Sequence, residues 1–163
     1  MTVPEDNAKT VGQAEREITQ RMRSLYKKKL GHKVSDVTCQ IFDEKLAIVV
    51  EDALTKVEER LLENGEVALT EQVRKDLNES IEPQVEEIVE GALNVDVVDI
   101  LKDTSLDSGT SGIIALLSDA PHLRQARRRT SSHHPAEHTE QKKDEAETVW
   151  EKKLREKSIE KPA

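Results

Sequence analysis

Few side chains in this 163-residue sequence are placed to do chemistry. One group is His133-His134-Pro135-Ala136-Glu137-His138. His134 and His138 stand at i, i+4, a spacing that puts two imidazoles on one face of a helix, where zinc could bind them. Pro135 lies between them, and no Glu occupies the position that a metallopeptidase helix requires. No second Cys/His cluster supplies the missing ligands, so the segment reads as a solvated linker and no metal is expected. A second group is Arg124, Arg127, Arg128 and Arg129, followed by Thr130, Ser131 and Ser132. A basic patch with hydroxyls can touch nucleic acid, anionic lipid or an acidic partner. Phosphorylation there would cancel its charge. A merely solubilising linker and a weak interaction segment both remain open.

The remaining candidates are weaker. Cys39 sits at an alternating position between Val37 and Ile41, which reads as a small core residue rather than a nucleophile. The stretch Asp107-Ser108-Gly109-Thr110-Ser111-Gly112 has two glycines, but no Lys and no following helix. Phosphate cradles aim backbone N–H groups from a helix N-terminus, so a hairpin loop is the reading here. Paired carboxylates such as Glu58-Glu59 and Glu86-Glu87 read as solvated helix faces. His32 alone represents histidine between residues 10 and 120, so no Ser/His/Asp set can be nominated. The chain is therefore expected to be no enzyme and to carry no cofactor.

Composition narrows the classes further. Apolar residues make up 35% and charged residues 36%, which is apolar-poor for a globular domain. The apolar residues concentrate between Val34 and Leu117, so that stretch can build a core. Tyr26, Phe42 and Trp150 are the whole aromatic set. The core must be aliphatic, and base-stacking platforms for single-stranded nucleic acid are excluded. Residues 1–120 hold 14 Lys/Arg against 25 Asp/Glu, whereas residues 121–163 hold 11 against 8. An acidic body of net −11 is a poor binder of phosphate backbones; the tail, at +3, is not so excluded. One cysteine permits no internal disulfide, which fits a reducing cytoplasm. No apolar run is long enough to span a bilayer, and the first ten residues lack the features of a secretory signal. A cytoplasmic location, peripheral to a membrane at most, is expected.

The elements follow from periodicity. Residues 1–10 read as a disordered leader. Ala14, Ile18, Met22, Leu25 and Tyr26 form one stripe, which predicts a helix from Gln13 to Leu30 with Gly31 as its stop. Alternation from Lys33 to Glu51, broken at Phe42-Asp43-Glu44-Lys45, predicts a β-hairpin with one buried face. Thr55 and Glu58 match a capping box that opens a short helix to about Leu62. Thr70 offers the next cap, and Val73, Leu77, Ile81, Val85, Ile88 and Val89 mark a long helix with Gly91 as its end signal. Pro83 inside it should kink that helix or split it. Asn94–Leu101 predicts a third strand, 103–111 a loop, and Gly112–Ser118 a fourth, central strand.

The resulting order α-β-β-α-α-β-β predicts an α+β domain over residues 11–120. Its architecture is two-layer: a small, mostly antiparallel four-stranded sheet with helices packed on one face. Residues 121–140 read as a disordered basic and histidine-containing linker. Residues 141–160 read as a marginal charged helix with Ala146, Val149, Trp150 and Leu154 in one stripe, needing a partner to form. Arg124, Arg127, Arg128, Arg129 and Trp150 are thus the candidate interaction residues of the tail.

The domain resembles a family of small bacterial proteins, the Na-translocating MpsC-type family, formerly a domain of unknown function. The matching residues run in order along 11–118. Gly12-Gln13-x-Glu15-x-x-Ile18 opens the first helix, and Lys29-Leu30-Gly31 precedes a strand. Ala53-Leu54-Thr55-x-x-Glu58-x-x-Leu61 follows the hairpin, Val73-Arg74-x-x-Leu77 opens the long helix, and Val89-x-Gly91 closes it. Gly31-His32-Lys33-Val34 stands where the family tends to have Gly-Arg-Gly-Pro, and the last strand lacks the family's Phe. The resemblance implies a soluble accessory or regulatory subunit of a membrane system that generates membrane potential and supports inorganic-carbon uptake. The partner that the resemblance implies is a protein of a membrane transport complex. Open sheet edges also admit a homodimer. The competing expectation is a nucleic-acid-associated or stress-response regulator acting through the Arg-rich tail.

Overall fold

The computed structural model describes residues 8–125. The first helix, α1 (Val11–Lys29), is capped by Thr10, whose side chain accepts from the Gln13 N–H while the Gln13 side chain accepts from the Thr10 N–H. This reciprocal box satisfies two otherwise orphaned donors. Ala14, Ile18, Met22, Leu25 and Tyr26 are its buried face, the stripe that the spacing predicts. Lys27, Lys28 and Lys29 fill the last turn, where they complement the helix dipole.

A hairpin follows, β1 (Asp36–Phe42) and β2 (Lys45–Glu51), joined by a two-residue turn with Asp43 at φ 52°. Two helices come next, α2 (Lys56–Glu63) and α3 (Val67–Leu93). A second hairpin, β3 (Val97–Ser105) and β4 (Thr110–Leu117), completes the domain. The strands form one antiparallel sheet in the order β1-β2-β4-β3. β4 is thus central, as its unbroken apolar run predicts. Helices α1 and α3 lie side by side on one face of the sheet and pack on β1 and β3. Val37, Cys39, Leu46, Ile48, Val50, Ile113, Ala115 and Leu117 meet the helices there. Every one of these strand positions is i, i+2 from its neighbour, so a single sheet face supplies the core.

Four details differ from the sequence expectations. The long helix starts at Val67, and Thr70 lies inside its first turn, buried, donating to the Glu66 carbonyl instead of capping. Its helical span also runs unbroken through Pro83, so no split occurs. Proline removes one backbone donor, but Ile81, Val85 and Val89 are all buried against the core and hold the flanking turns in place. Gly91 does not end the helix. It continues to Leu93, and Asn94 at φ 53° makes the left-handed cap, a conformation Asn tolerates better than most residues. The expected loop over 103–111 is mostly strand: β3 runs to Ser105 and only residues 106–109 turn. Gly109, at φ 67°, takes the left-handed position of that turn.

The two ends of the described chain meet. Arg124 bridges to Thr10 in parallel fashion: its N–H donates to the Lys9 carbonyl (3.1 Å) and its carbonyl accepts from the Val11 N–H (3.0 Å). Lys9 in turn reaches Glu17 (2.5 Å) and the Ala92 carbonyl at the end of α3 (3.0 Å).

Candidate functional site

The densest polar chemistry of the described residues is internal, and it begins with the capping box of α2. Thr55 caps the helix. Its N–H and its hydroxyl both donate to Glu58 Oε2, each at 2.7 Å. An exposed capping carboxylate would stop there. Glu58, however, has no solvent exposure, and Arg74 from the first turns of α3 closes on it. Arg74 Nε donates to Glu58 Oε1 at 2.6 Å, and Nη2 donates to Oε2. Nη2 also donates to the Ala53 carbonyl at 2.9 Å. The pair is therefore bidentate, the geometry a planar guanidinium offers a carboxylate. The solvated-face reading holds for Glu59 and Glu87, which are exposed, and fails for Glu58.

A signal for this pair exists in the sequence. The buried stripe of α3 is Ile81, Val85 and Val89. Stepping back from Ile81 by seven residues lands on Arg74, and by eleven on Thr70, both buried. Polar residues continuing a core stripe must find internal partners. Following Val73 and Leu77 instead hides this, because those two lie beside the stripe and are only partly buried.

Tyr26 of α1 joins the same polar core. Burial raises its phenol above the ordinary value of 10.0; Arg74 and Ser111 pull the other way, and Glu58 adds a further push upward. Ser111 Oγ is already engaged, accepting from Thr104 Oγ1 (3.0 Å) and donating to the Asp103 carbonyl (3.4 Å). Tyr26 Oη and Arg74 Nη1 have no hydrogen-bond partner within bonding geometry among the described residues.

The pair has a geometric consequence. Glu58 is the only buried residue of α2, and among the described residues α3 is the only element on which α2 packs. Val57, by contrast, is 65% exposed. Leu61 and Leu62 are half-buried, and Val67 and Leu69 at the start of α3 are exposed. Amphipathic helices of a globular domain normally bury their apolar side. Here a charged residue anchors the helix, and apolar side chains remain outside at the α2–α3 corner.

A cleft of ≈ 440 Å³ runs beside this corner between α3 and β3. Arg74, Lys75 and Glu79 line it from the helix, with Lys102, Asp103 and Thr104 from the strand. Lys102 ties the two elements together, donating to the Asn78 carbonyl (2.6 Å) and to Glu82 (2.5 Å). With both signs of charge paired across it, the cleft assembles no nucleophile with a base.

The other candidates separate. Cys39 is buried in the core, and burial with the nearby Glu15 carboxylate pushes its thiol up to about 12. A thiol that holds its proton this firmly is a poor nucleophile. His32 Nε2 lies 2.6 Å from the Asp52 carbonyl, outside any acid–base arrangement. The Gly109 segment is a hairpin turn whose carbonyl accepts from the Ala53 N–H at 2.7 Å, fixing the lead into α2. Arg124 is exposed and sits on the Thr10 bridge. Arg127, Arg128, Arg129, the Thr130–Ser132 hydroxyls, the histidines 133, 134 and 138, and Trp150 lie outside the described residues.

Among the described residues, no helix is long and apolar enough to cross a membrane. A family model described as "Na+-translocating membrane potential-generating system (MpsC)" matches residues 10–119. No curated protein and no solved structure matches the chain.

Proposed function

The chain belongs to the MpsC family of the Na+-translocating membrane potential-generating system, and from that premise we propose that it is a non-enzymatic, cytoplasmic accessory protein. It acts by docking on a protein of a membrane ion or inorganic-carbon transport system. The observation that carries this reading is the inverted helix α2, which buries Glu58 and exposes Val57. Such an arrangement spends a desolvated ion pair on holding a short helix in place, and leaves aliphatic side chains free at the corner with Val67 and Leu69. Apolar anchors within a polar surround are what binding hot spots are made of. The exposed charged residues beside those side chains are Lys56 and Arg60 with Glu59, Glu63, Glu66 and Glu71, an excess of two acidic groups. The partner surface that fits is apolar at its centre and basic at its edge.

Affinity capture from native membranes tests the proposal. The full chain should retain an integral membrane protein of the transport system, and Val57→Glu with Leu69→Glu should release it. Equal retention by both forms would remove the corner from the account.

A further inference from the structure

The helices cover one face of the sheet, and no described element covers the other. Cross-strand register sorts that open face into rows. Lys45, Leu116 and Asp99 form one row across β2, β4 and β3. Ala47, Ile114 and Leu101 form the next, and Val49, Gly112 and Asp103 the third. The centre is aliphatic and partly or wholly exposed: Val49 at 40%, Leu101 at 55%, with Ala47, Ile114 and Leu116 half-buried. Gly112 leaves a hollow in it. Nothing lies within 4 Å of where a Cβ would stand, and an open depression of ≈ 340 Å³ spans Val49, Gly112, Ile114 and Leu101.

The β3 edge of the same sheet is partly guarded. Asp99 Oδ1 accepts from the Ile100 N–H (2.9 Å), and Asp103 Oδ1 accepts from the Thr104 N–H (2.8 Å). On the other edge strand, β1, Glu15 accepts from the Ile41 N–H (3.0 Å). Occupied edge donors work against strand addition. Among the described residues, the uncovered face carries no such guard.

We propose that this face is a two-fold interface between two copies of the chain, with β2 of one over β4 of the other. A two-fold axis parallel to the strands brings Val49 over the Gly112 hollow of the second copy, and Ala47 over its Ile114. Each contact sets a larger side chain against a smaller one, and symmetry repeats each contact. The same axis brings Lys45 beside Asp99 of the second copy, which are opposite charges. An axis perpendicular to the strands would instead stack Asp99 on Asp103. Thr38, Gln40, Lys45 and Glu51 on the rim are polar, as interface rims are, and Phe42 beside Lys45 adds one exposed aromatic. Four strands ~4.8 Å apart and about seven residues long at ~3.3 Å each give a face of roughly 450 Å² before side-chain relief is counted. Two such faces bury on the order of 1,000 Å², the lower bound for a specific interface, so the dimer is of moderate affinity. The inference concerns the uncovered sheet face rather than the α2–α3 corner and does not rest on it.

Sedimentation velocity of the full chain over a concentration series tests it. The wild type should reach a dimer by about 100 µM, where a micromolar complex is mostly formed. Val49→Asp charges the knob, and Gly112→Leu fills the hollow. Each should raise the dissociation constant about tenfold or more, leave the circular dichroism spectrum unchanged, and leave membrane-protein capture intact. A wild type that stays monomeric at that concentration overturns the proposal. So does a dimer that both variants leave untouched. Loss of capture with the dimer intact would instead count against the corner reading.

Discussion

Glu58 and Arg74, sixteen residues apart, form a fully desolvated, bidentate ion pair that is the sole buried anchor of α2. The carboxylate does two jobs at once. It closes the Thr55 capping box and neutralises the guanidinium that also holds the Ala53 carbonyl. Helix start, strand exit and long helix are thereby locked to one another.

Removing one partner strands a buried charge. Arg74→Met or Glu58→Ala should each destabilise the domain by about 3–5 kcal/mol, read from urea midpoints. Glu58→Leu with Arg74→Met together should recover part of that loss, because an apolar pair removes both buried charges but leaves the Thr55 donors and the Ala53 carbonyl without their partners. Losses that simply add would show that the two residues act separately.

The guarded edge makes a separate prediction. Asp99→Ala with Asp103→Ala frees the Ile100 and Thr104 donors next to exposed Leu101. Aggregation on mild heating, followed by light scattering, should accelerate while the melting temperature moves little. An unchanged aggregation rate would mean that the carboxylates do not protect the edge.

Alkaline pH should loosen the fold. Cys39 rises from its ordinary value of 9.0 to about 12, and Tyr26 is shifted in the same direction. A raised folded-state value means that the unfolded chain releases its proton first. Stability from Cys39 is therefore full below pH 9.0 and falls as pH climbs toward about 12. Urea midpoints at pH 8 and pH 10.5, both set by the experimenter at roughly these values, should show a decline that Cys39→Ala makes shallower. A Cys39→Ala slope equal to that of the wild type would sink the attribution.

The fold was readable because its signals are local. The α1 stripe, the Thr55-x-x-Glu58 box and the alternation in the first hairpin each lie within a few residues, and all three appear in place. Where the structure departs, a longer-range effect wins. Packing of Ile81, Val85 and Val89 carries the helix through Pro83, and pairing with β4 draws Asp103, Thr104 and Ser105 out of the expected loop. The candidate site was least legible. Glu58 looks like any capping glutamate, and what buries it is an arginine two turns into another helix. The uncovered sheet face was expected from the order of elements, but its aliphatic centre was not, because Ala47, Val49, Ile114 and Leu116 fit a strand pattern equally well whether or not anything covers them.

The central claim is that this chain docks on a membrane partner through apolar side chains held outward by the Glu58–Arg74 pair. Quantitative capture of that partner from native membranes, comparing wild type with Val57→Glu/Leu69→Glu, tests it most directly. Both positions are exposed, so the variant should keep wild-type stability within about 0.5 kcal/mol. The account predicts that it nevertheless loses the partner by about tenfold or more. Undiminished capture by a correctly folded variant would contradict it.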